Sequence, residues 1–342
     1  MTSGKMQRPP TQHDVARLAG VSRTTVSYVL NGSDASAIPD ETRQRILDAA
    51  AQLGYTPNRV AQSLRTQKTR TIAGIIEDIT NPFHPAFERG IQEVAEANGY
   101  DLIMYNTDGA IDKERKALSS VLEGRADGVI GSFYHMQIAD FLPLLTRGIA
   151  VVRLNGIDAL ADTDYPLDTL FLDNTAAARM AVEFLIEAGH RRIAMLAGTS
   201  PPRQDRLRGY RQALEQHGII YDETLVEAND FSVAEGKRGM AVLLTRIPRP
   251  TAVFAASDLL AMGAMLSIQQ AGLRIPQEIA VVGFDDIFAA ELVSPPLTTV
   301  AQFQDQMGRR AAEMLFERLS GRVTAPGRRE NMPYQLIVRG SA

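Results

Sequence analysis

The stretch Thr11–Gly32, TQHDVARLAGVSRTTVSYVLNG, decides how the N-terminal part of this 342-residue chain folds. Thr11 and Asp14 stand at capping-box spacing, where a hydroxyl residue and an acid three positions on close the end of a helix, so a helix starts near Thr11. Val15, Leu18 and Ala19 give it an apolar face. Gly20 interrupts it, and Ser22 is a good cap for a second helix two residues later. In that helix Val26, Val29 and Leu30 fall at i, i+3 and i+4, which makes one buried stripe. Arg23, Thr24, Ser27 and Tyr28 are left outside. Asn31-Gly32 favours left-handed backbone and stops the helix. Two short helices joined by a tight turn form a helix-turn-helix, whose second helix lies in the major groove of DNA. Arg23 and Thr24 stand at its N-terminal end. An arginine matches guanine O6 and N7, a threonine meets a base edge or a thymine methyl, and Tyr28 reaches a base or a phosphate.

Outward from this stretch, a third helix over Asp40–Leu53 turns Ile46, Ala50 and Leu53 inward and ends at Gly54. Asn58 then caps a very short helix, Asn58–Leu64, and the polar, basic run Arg65–Arg70 reads as a linker. A three-helix bundle with an unrelated task has the same pattern, and charge weighs against it. Residues 1–70 hold ten Lys or Arg against five Asp or Glu, a balance of +5, while the rest of the chain holds 26 against 35, a balance of −9. A basic head on an acidic body predicts a polyanion partner for the head alone.

From Thr71 on, short apolar strands alternate with amphipathic helices. One run covers the strand Thr71–Ile76, the helices Pro85–Asn98 and Asp112–Glu123 and the strands Tyr100–Tyr105, Gly128–Ser132 and Ile149–Leu154. A second opens with the helix Thr175–Ala188 and continues through the strands Ile193–Leu196, Leu225–Glu227, Ala252–Ala255 and Ile279–Val282, with the helix Arg206–Gln216 between the first two. Such alternation predicts parallel sheets covered on both faces, and twice over it predicts two lobes. Ligands of open α/β sheets bind beyond the carboxyl ends of the strands, which here is the cleft between lobes.

The chain has no cysteine, so disulfides, thiolate metal sites and cysteine nucleophiles are excluded. Its five histidines form no H-E-x-x-H pair. No phosphate loop and no G-x-S-x-G elbow occurs, which disfavours an enzyme. Apolar runs such as Ile149–Val152 are far shorter than the ~20 residues of a membrane span. The opening MTSGKMQRPP has no apolar core of a signal peptide. The expectation is a cytoplasmic protein with no cofactor, no metal site and no membrane contact.

These residues carry a resemblance. Thr11-Gln12-His13-Asp14-Val15-Ala16, Ala19-Gly20-Val21-Ser22 and Thr25-Val26-Ser27, with Glu41-Thr42-Arg43, Gly54-Tyr55 and Pro57-Asn58-Arg59-Val60-Ala61, resemble the lactose-repressor/galactose-repressor family of bacterial transcription regulators. Asn81-Pro82-Phe83, Gly189-His190-Arg191-Arg192-Ile193-Ala194, Arg206-Leu207-Arg208-Gly209-Tyr210, Gly283-Phe284-Asp285-Asp286 and Pro296-Leu297-Thr298-Thr299-Val300 extend it over nearly the whole chain. Two departures stand out: the loop Gly32–Ile38 is about two residues longer than the family pattern, and Pro39 stands where a serine cap is usual.

The resemblance implies an all-α helix-turn-helix head over 1–57, a hinge helix and linker over 58–70, and a two-lobed α/β body over 71–342 that is periplasmic-binding-protein-like. Lobe one takes 71–171 and 302–331, and lobe two takes 172–301 and 332–342. Crossovers are expected near Leu170–Asn174, Leu297–Gln302 and Asn331–Tyr334. It implies a homodimer on a pseudo-palindromic double-stranded DNA operator. The DNA contacts implied are Thr11, His13, Ser22, Arg23, Thr24, Thr25, Ser27, Tyr28, Asn31 and Tyr55 in the head, and Asn58, Arg59, Ala61, Leu64 and Arg65 in the hinge. Leu64 wedges between bases in the minor groove, and Arg65 places its charge there.

For the cleft it implies Phe83, His84, Ser132, Phe133, Asn155, Arg206, Phe231, Ser257, Asp258 and Asp285 around a small polar effector, a sugar, nucleoside or related metabolite. Phe83 and Phe231 cover apolar faces, Asp285 and Asn155 accept from hydroxyl or amino groups, and Arg206 forks two donors onto an oxygen pair. The function expected is a ligand-responsive transcriptional regulator, most often a repressor. A pure sugar-binding or transport module has no use for residues 11–64, and a doubly wound enzyme needs a nucleophile or phosphate loop. A third alternative keeps the head and places the body under a partner protein.

Overall fold

The computed structural model describes residues 8–31, 38–58, 63–64, 66–154, 165–198, 202–228, 230–324 and 326–342. They fall into two compact units, Met1–Thr69 and Arg70–Ala342.

The first unit is the head, with helices α1 (Gln12–Ala19), α2 (Arg23–Asn31) and α3 (Asp40–Leu53). The Asp14 carboxylate accepts from the Thr11 N–H at 3.0 Å and from its hydroxyl at 2.7 Å, which closes α1. The N–H of Thr25 donates to Ser22 Oγ at 3.1 Å and starts α2. Gly20 and Gly54 take φ of 65° and 63°, left-handed values open to glycine at little cost, and end α1 and α3. Val15, Ala16, Ala19, Val26, Val29, Ile46, Ala49 and Ala50 form the core. Leu18 departs from expectation and is 47% exposed, because it lies ~100° round α1 from the stripe formed by Val15, Ala16 and Ala19. Pro39 leads into α3 with no side-chain cap.

The second unit holds two six-stranded sheets. In chain order its elements are β1 (Thr71–Ile76), α4 (His84–Ala97), β2 (Asp101–Asn106), α5 (Ile111–Ser120), β3 (Gly128–Ser132), α6 (Ile138–Thr146), β4 (Ala150–Leu154), β5 (Leu167–Phe171) and α7 (Asn174–Glu187). There follow β6 (Ile193–Ala197), α8 (Arg203–Gln216), β7 (Val226–Ala228), α9 (Val233–Leu244), β8 (Ala252–Ala255), α10 (Asp258–Gln270), β9 (Ala280–Asp285), β10 (Thr298–Ala301), α11 (Gln304–Leu319), β11 (Arg329–Asn331) and β12 (Gln335–Ile337). Lobe one is the sheet β11-β5-β4-β3-β1-β2, parallel throughout. Lobe two is β12-β10-β9-β8-β6-β7, parallel but for the antiparallel edge β10–β12. The central strands β3, β4, β6, β8 and β9 are buried along their whole length, which is what helices on both faces require.

The chain passes between sheets three times: from β5 to α7, from β10 to α11, and from β11 to β12. Lobe one is therefore closed by chain that returns after lobe two is built. Two devices hold that return. Gly90 on α4 and Gly308 on α11 face each other's helix so closely that a Cβ on either would overlap backbone, at Asp305 O and Phe87 O respectively. Asp168 of β5, with no exposed surface, accepts from Arg318 of α11 at 2.8 and 2.6 Å, and from the Arg328 N–H and Nη2 at 2.8 Å each.

Some bounds differ from expectation. The helix expected over Asp112–Glu123 is α5 as far as Ser120 and then widens into a π turn over Val121–Arg125, with Gly124 at φ 90°. The helix expected from Arg206 begins three residues earlier, at Arg203. That shift places Arg206 one turn inside α8, where its side chain is buried.

Candidate functional site

On the head, Arg23, Thr24 and Tyr28 are exposed along α2, with Tyr28 at 44%. Ser27 and Thr25 are half-buried. Ser22 and Thr25 join their hydroxyls at 2.8 Å across the first turn, so both shape the helix start. His13 is exposed at the start of α1, whereas Thr11 is half-buried and committed to Asp14. Asn31 ends α2. Tyr55 packs against the head core, and Asn58 is exposed. Leu64 is 80% exposed. Arg59, Ala61 and Arg65, with most of the expected hinge helix, lie outside the described residues.

In the body, the strand ends of both sheets converge on one narrow cavity of about 70 Å³. Lobe one contributes Glu77, Asn81, Phe83, His84, Ser132 and Tyr134, lobe two contributes Asn174, Pro202, Arg206, Phe231, Ser257 and Asp285, and Gln302 comes from the second crossing.

Arg206 is buried and held on three sides. Its Nε donates to Asn174 Oδ1 at 2.8 Å, Nη1 donates to the carbonyl of Ala256, and the guanidinium lies 3.7 Å from the centre of the Phe284 ring. It does not pair with its neighbour Asp205, which binds Arg208 at 2.9 Å instead. Burial pulls its pKa down to about 10 against the opposing charge of Asp285, so it stays protonated at neutral pH.

Asp285 ends β9 at φ 127°, a strained value for a residue with a side chain. Two crossing residues brace it: Gln302 Nε2 donates to its carboxylate at 2.6 Å, and Gln304 donates to its carbonyl. Burial raises its pKa, with the Arg206 charge opposing.

Tyr134 donates from its hydroxyl to Glu77 at 2.8 Å, and burial beside that carboxylate lifts its pKa well above the ordinary value. The loop carrying it is pinned from below. Glu114 of α5, fully buried, accepts from the N–H groups of Tyr134 at 3.0 Å and His135 at 3.2 Å. Phe231 rests flat enough on Gly198 that any Cβ there would strike its ring. Ser257 caps α10 by accepting from the Leu260 N–H at 3.2 Å.

Of the expected cleft residues, the structure brings Phe83, His84, Ser132, Arg206, Phe231, Ser257 and Asp285 to this cavity. Phe133 is not there. Successive residues of an extended segment point to opposite sides, so the neighbour of Ser132 turns into the lobe-one core, edge-on to Phe141 at 4.9 Å. Tyr134, in the bend that follows β3, returns to the cavity. Asp258 is also absent from the wall. It lies behind, accepting from Thr299 Oγ1 at 2.5 Å and from the Ile287 N–H at 2.9 Å, and so supports the turn that carries Asp285. Asn155 lies outside the described residues. Sequence reasoning missed Glu77, Asn81, Tyr134, Asn174, Pro202 and Gln302 as wall residues. Asn174 and Gln302 lie on crossings, which border a cleft between two lobes by construction.

Residues 11–58 match the family of bacterial regulatory proteins, lacI family, and residues 182–342 match the periplasmic binding protein-like domain. The chain is 38% identical over 330 residues to the HTH-type transcriptional regulator CelR of Thermobifida fusca, a match covering 94% of this chain and 95% of that protein. The chain belongs to the lacI family.

Two solved structures of similar proteins agree with the assignment. A transcriptional regulator CelR–cellobiose complex is 34% identical with a TM-score of 0.71, over 97% of this chain and 100% of that one. The lac repressor dimer bound to operator and the anti-inducer ONPF is 28% identical with a TM-score of 0.85, over 98% of this chain and 99% of that one. As a lacI-family member, the chain is a DNA-binding transcriptional regulator rather than an enzyme. Among the described residues no helix is long and apolar enough to cross a membrane, and no cluster of three His, Asp or Glu is placed to hold a metal ion.

Proposed function

We propose that this lacI-family protein is a cytoplasmic repressor that binds a pseudo-palindromic operator as a homodimer and responds to a small polar effector, a sugar or nucleoside, in the interlobe cavity. One observation carries the effector reading: a buried guanidinium and a buried carboxylate face one cavity walled by both lobes, each held in place by other partners. A vicinal diol fits that pair, one hydroxyl donating to Asp285 and its neighbour accepting from Arg206. Phe231 and Phe83 supply the apolar cover that a sugar or base ring needs.

At about 70 Å³ the cavity is well below the ~300 Å³ at which small-molecule pockets begin, so entry of a ring requires the lobes to part at their three crossings. The effector thereby biases one relation of the lobes over another. A ligand shifts such an equilibrium only through its differential affinity, and coupling of about 1–3 kcal/mol changes DNA affinity about 5–150-fold. Dimerisation follows from the head, because one recognition helix covers only a half-site.

Fluorescence anisotropy of the full chain on a library of palindromic duplexes, with and without cellobiose, pentoses and nucleosides, tests this reading. The expected result is a preferred palindrome whose affinity changes with one of these compounds. Equal affinity for all palindromes and random duplex under every condition would sink it.

A further inference from the structure

Arg70 is the first residue of the second unit, where the linker ends and lobe one begins. Its φ is 53°, a left-handed value that strains a residue with a side chain. Both of its backbone groups are tied. The carbonyl accepts from the Asp101 N–H, at the start of β2, at 2.9 Å, and the N–H donates to the carboxylate of Asp127, just before β3, at 3.0 Å. The Asp127 N–H donates in turn to the Thr71 carbonyl at 2.8 Å. Because β1 lies between β2 and β3, the chain is gripped from both sides where it enters the sheet. Tyr100 completes the clamp. Its hydroxyl is hydrogen-bonded to the Asp127 carboxylate, and its ring stands edge-on to the buried Phe316 of α11, with centroids 5.0 Å apart at 75°.

The Arg70 N–H lies in an exposed place, where water would satisfy it as well as a carboxylate does. What Asp127 adds there is direction. Strained backbone persists only where its surroundings over-determine it, and such places cluster at switches. The other end of α11 lies at the effector cavity, where Gln304 donates to the carbonyl of Asp285. Gln304 and Phe316 are ~18 Å apart along this helix, and Gly90 and Gly308 seat it against α4. The turn that carries Asp285 and the residue that starts the body therefore stand at two ends of one packed line.

We infer that Asp127 and Tyr100 are positioning residues for operator binding: they fix the angle at which the linker meets lobe one, and so pass the position of that lobe to the head. This rests on the repressor reading above. Neither residue is among the described walls of the effector cavity.

Fluorescence anisotropy of the full chain on its preferred palindrome and on random duplex, without and with cellobiose, ribose or uridine, tests it. Asp127→Ala should bind the palindrome about tenfold more weakly through lost preorganisation. Its affinity for random duplex should stay within about twofold of the parent, because charge sets that binding. Asp127→Asn removes the same charge but keeps an acceptor for the Arg70 N–H, and should stay within about twofold on both duplexes. Tyr100→Phe keeps the ring on Phe316, drops the hydroxyl and should lose about fivefold on the palindrome alone. Whichever compound alters palindrome affinity in the parent should bind Asp127→Ala unchanged by calorimetry, yet shift its palindrome affinity by a smaller factor. Parent-like palindrome affinity in Asp127→Ala or Tyr100→Phe, a loss in Asp127→Asn equal to that in Asp127→Ala, or a parallel loss of compound affinity would overturn the inference and leave the repressor reading intact. A parent that answers to none of the three compounds would overturn the effector reading, and the ratio of palindrome to random affinity in the variants would still decide the clamp. A parent with no preferred palindrome would overturn both.

Discussion

Asn174 orients Arg206. The amide oxygen of Asn174, the first residue of α7, accepts from Arg206 Nε at 2.8 Å, while the Asn174 amide nitrogen donates to the Leu172 carbonyl at 3.1 Å. Asn174 stands at the first crossing between lobes, so that crossing and the principal cation of the cavity are one hydrogen bond apart.

Asn174→Ala should therefore act on both. It leaves a buried guanidinium nitrogen without its acceptor, at a cost of about 1–3 kcal/mol in stability. Effector affinity should fall about tenfold or more by calorimetry as Arg206 loses its aim. Asn174→Asp keeps the acceptor and should recover most of the affinity.

Asp168 makes the second prediction. Arg318, whose side chain is 5% exposed, is paired with it at 2.6 Å. Asp168→Ala strands that charge and should cost about 3–5 kcal/mol in urea denaturation. Burial alone would raise the Asp168 pKa, but hydrogen bonds from Arg318 and Arg328 outweigh it and hold the value below the usual carboxylate range. The folded form thus binds its proton less readily than the unfolded chain. The stabilisation is fully present above the unfolded pKa and is lost as pH falls through the lowered one.

His84 acts in a higher pH window. Its pKa falls from 6.5 unfolded to about 4 folded, so the unfolded chain binds the extra proton between these values and stability drops as pH falls from 6.5 toward 4. The loss should reach about 3 kcal/mol. His84→Phe should flatten this part of the stability–pH curve, while an unchanged slope would place the titration elsewhere.

Leu64 and Arg23 concern the DNA. Because Leu64 is 80% exposed in the free protein, Leu64→Ala should change the melting temperature little. If it wedges between bases, the same change reduces operator affinity and DNA bending, measured by gel mobility of permuted fragments, with effector affinity unaltered. Arg23→Ala should relax base preference at one symmetric pair of positions and cost about 1–3 kcal/mol there, whereas a uniform loss across all duplexes would mark a phosphate contact.

The head was legible in the sequence because its signals are local. The Thr11–Asp14 pair, the Ser22 cap, Gly20 and Gly54, and the stripe of Val26 and Val29 act within a few residues of one another. The alternation of strands and helices in the body was legible for the same reason, whereas the passage of the chain between two sheets near Phe171, Gln302 and Tyr334 was expected only from the family resemblance.

By itself the sequence determined that a helix-turn-helix precedes a two-lobed α/β body, since hydrophobic period and caps dictate elements and their order. Only the tertiary structure decided which side chains meet. Phe133 and Asp258 look like cavity residues by position, yet one turns into a core and the other braces the turn under Asp285. Tyr134, Asn174 and Gln302 carry no local mark and reach the cavity because two sheets and three crossings converge there. A wall built from both lobes depends on contacts between residues far apart in the chain, and periodicity does not encode them.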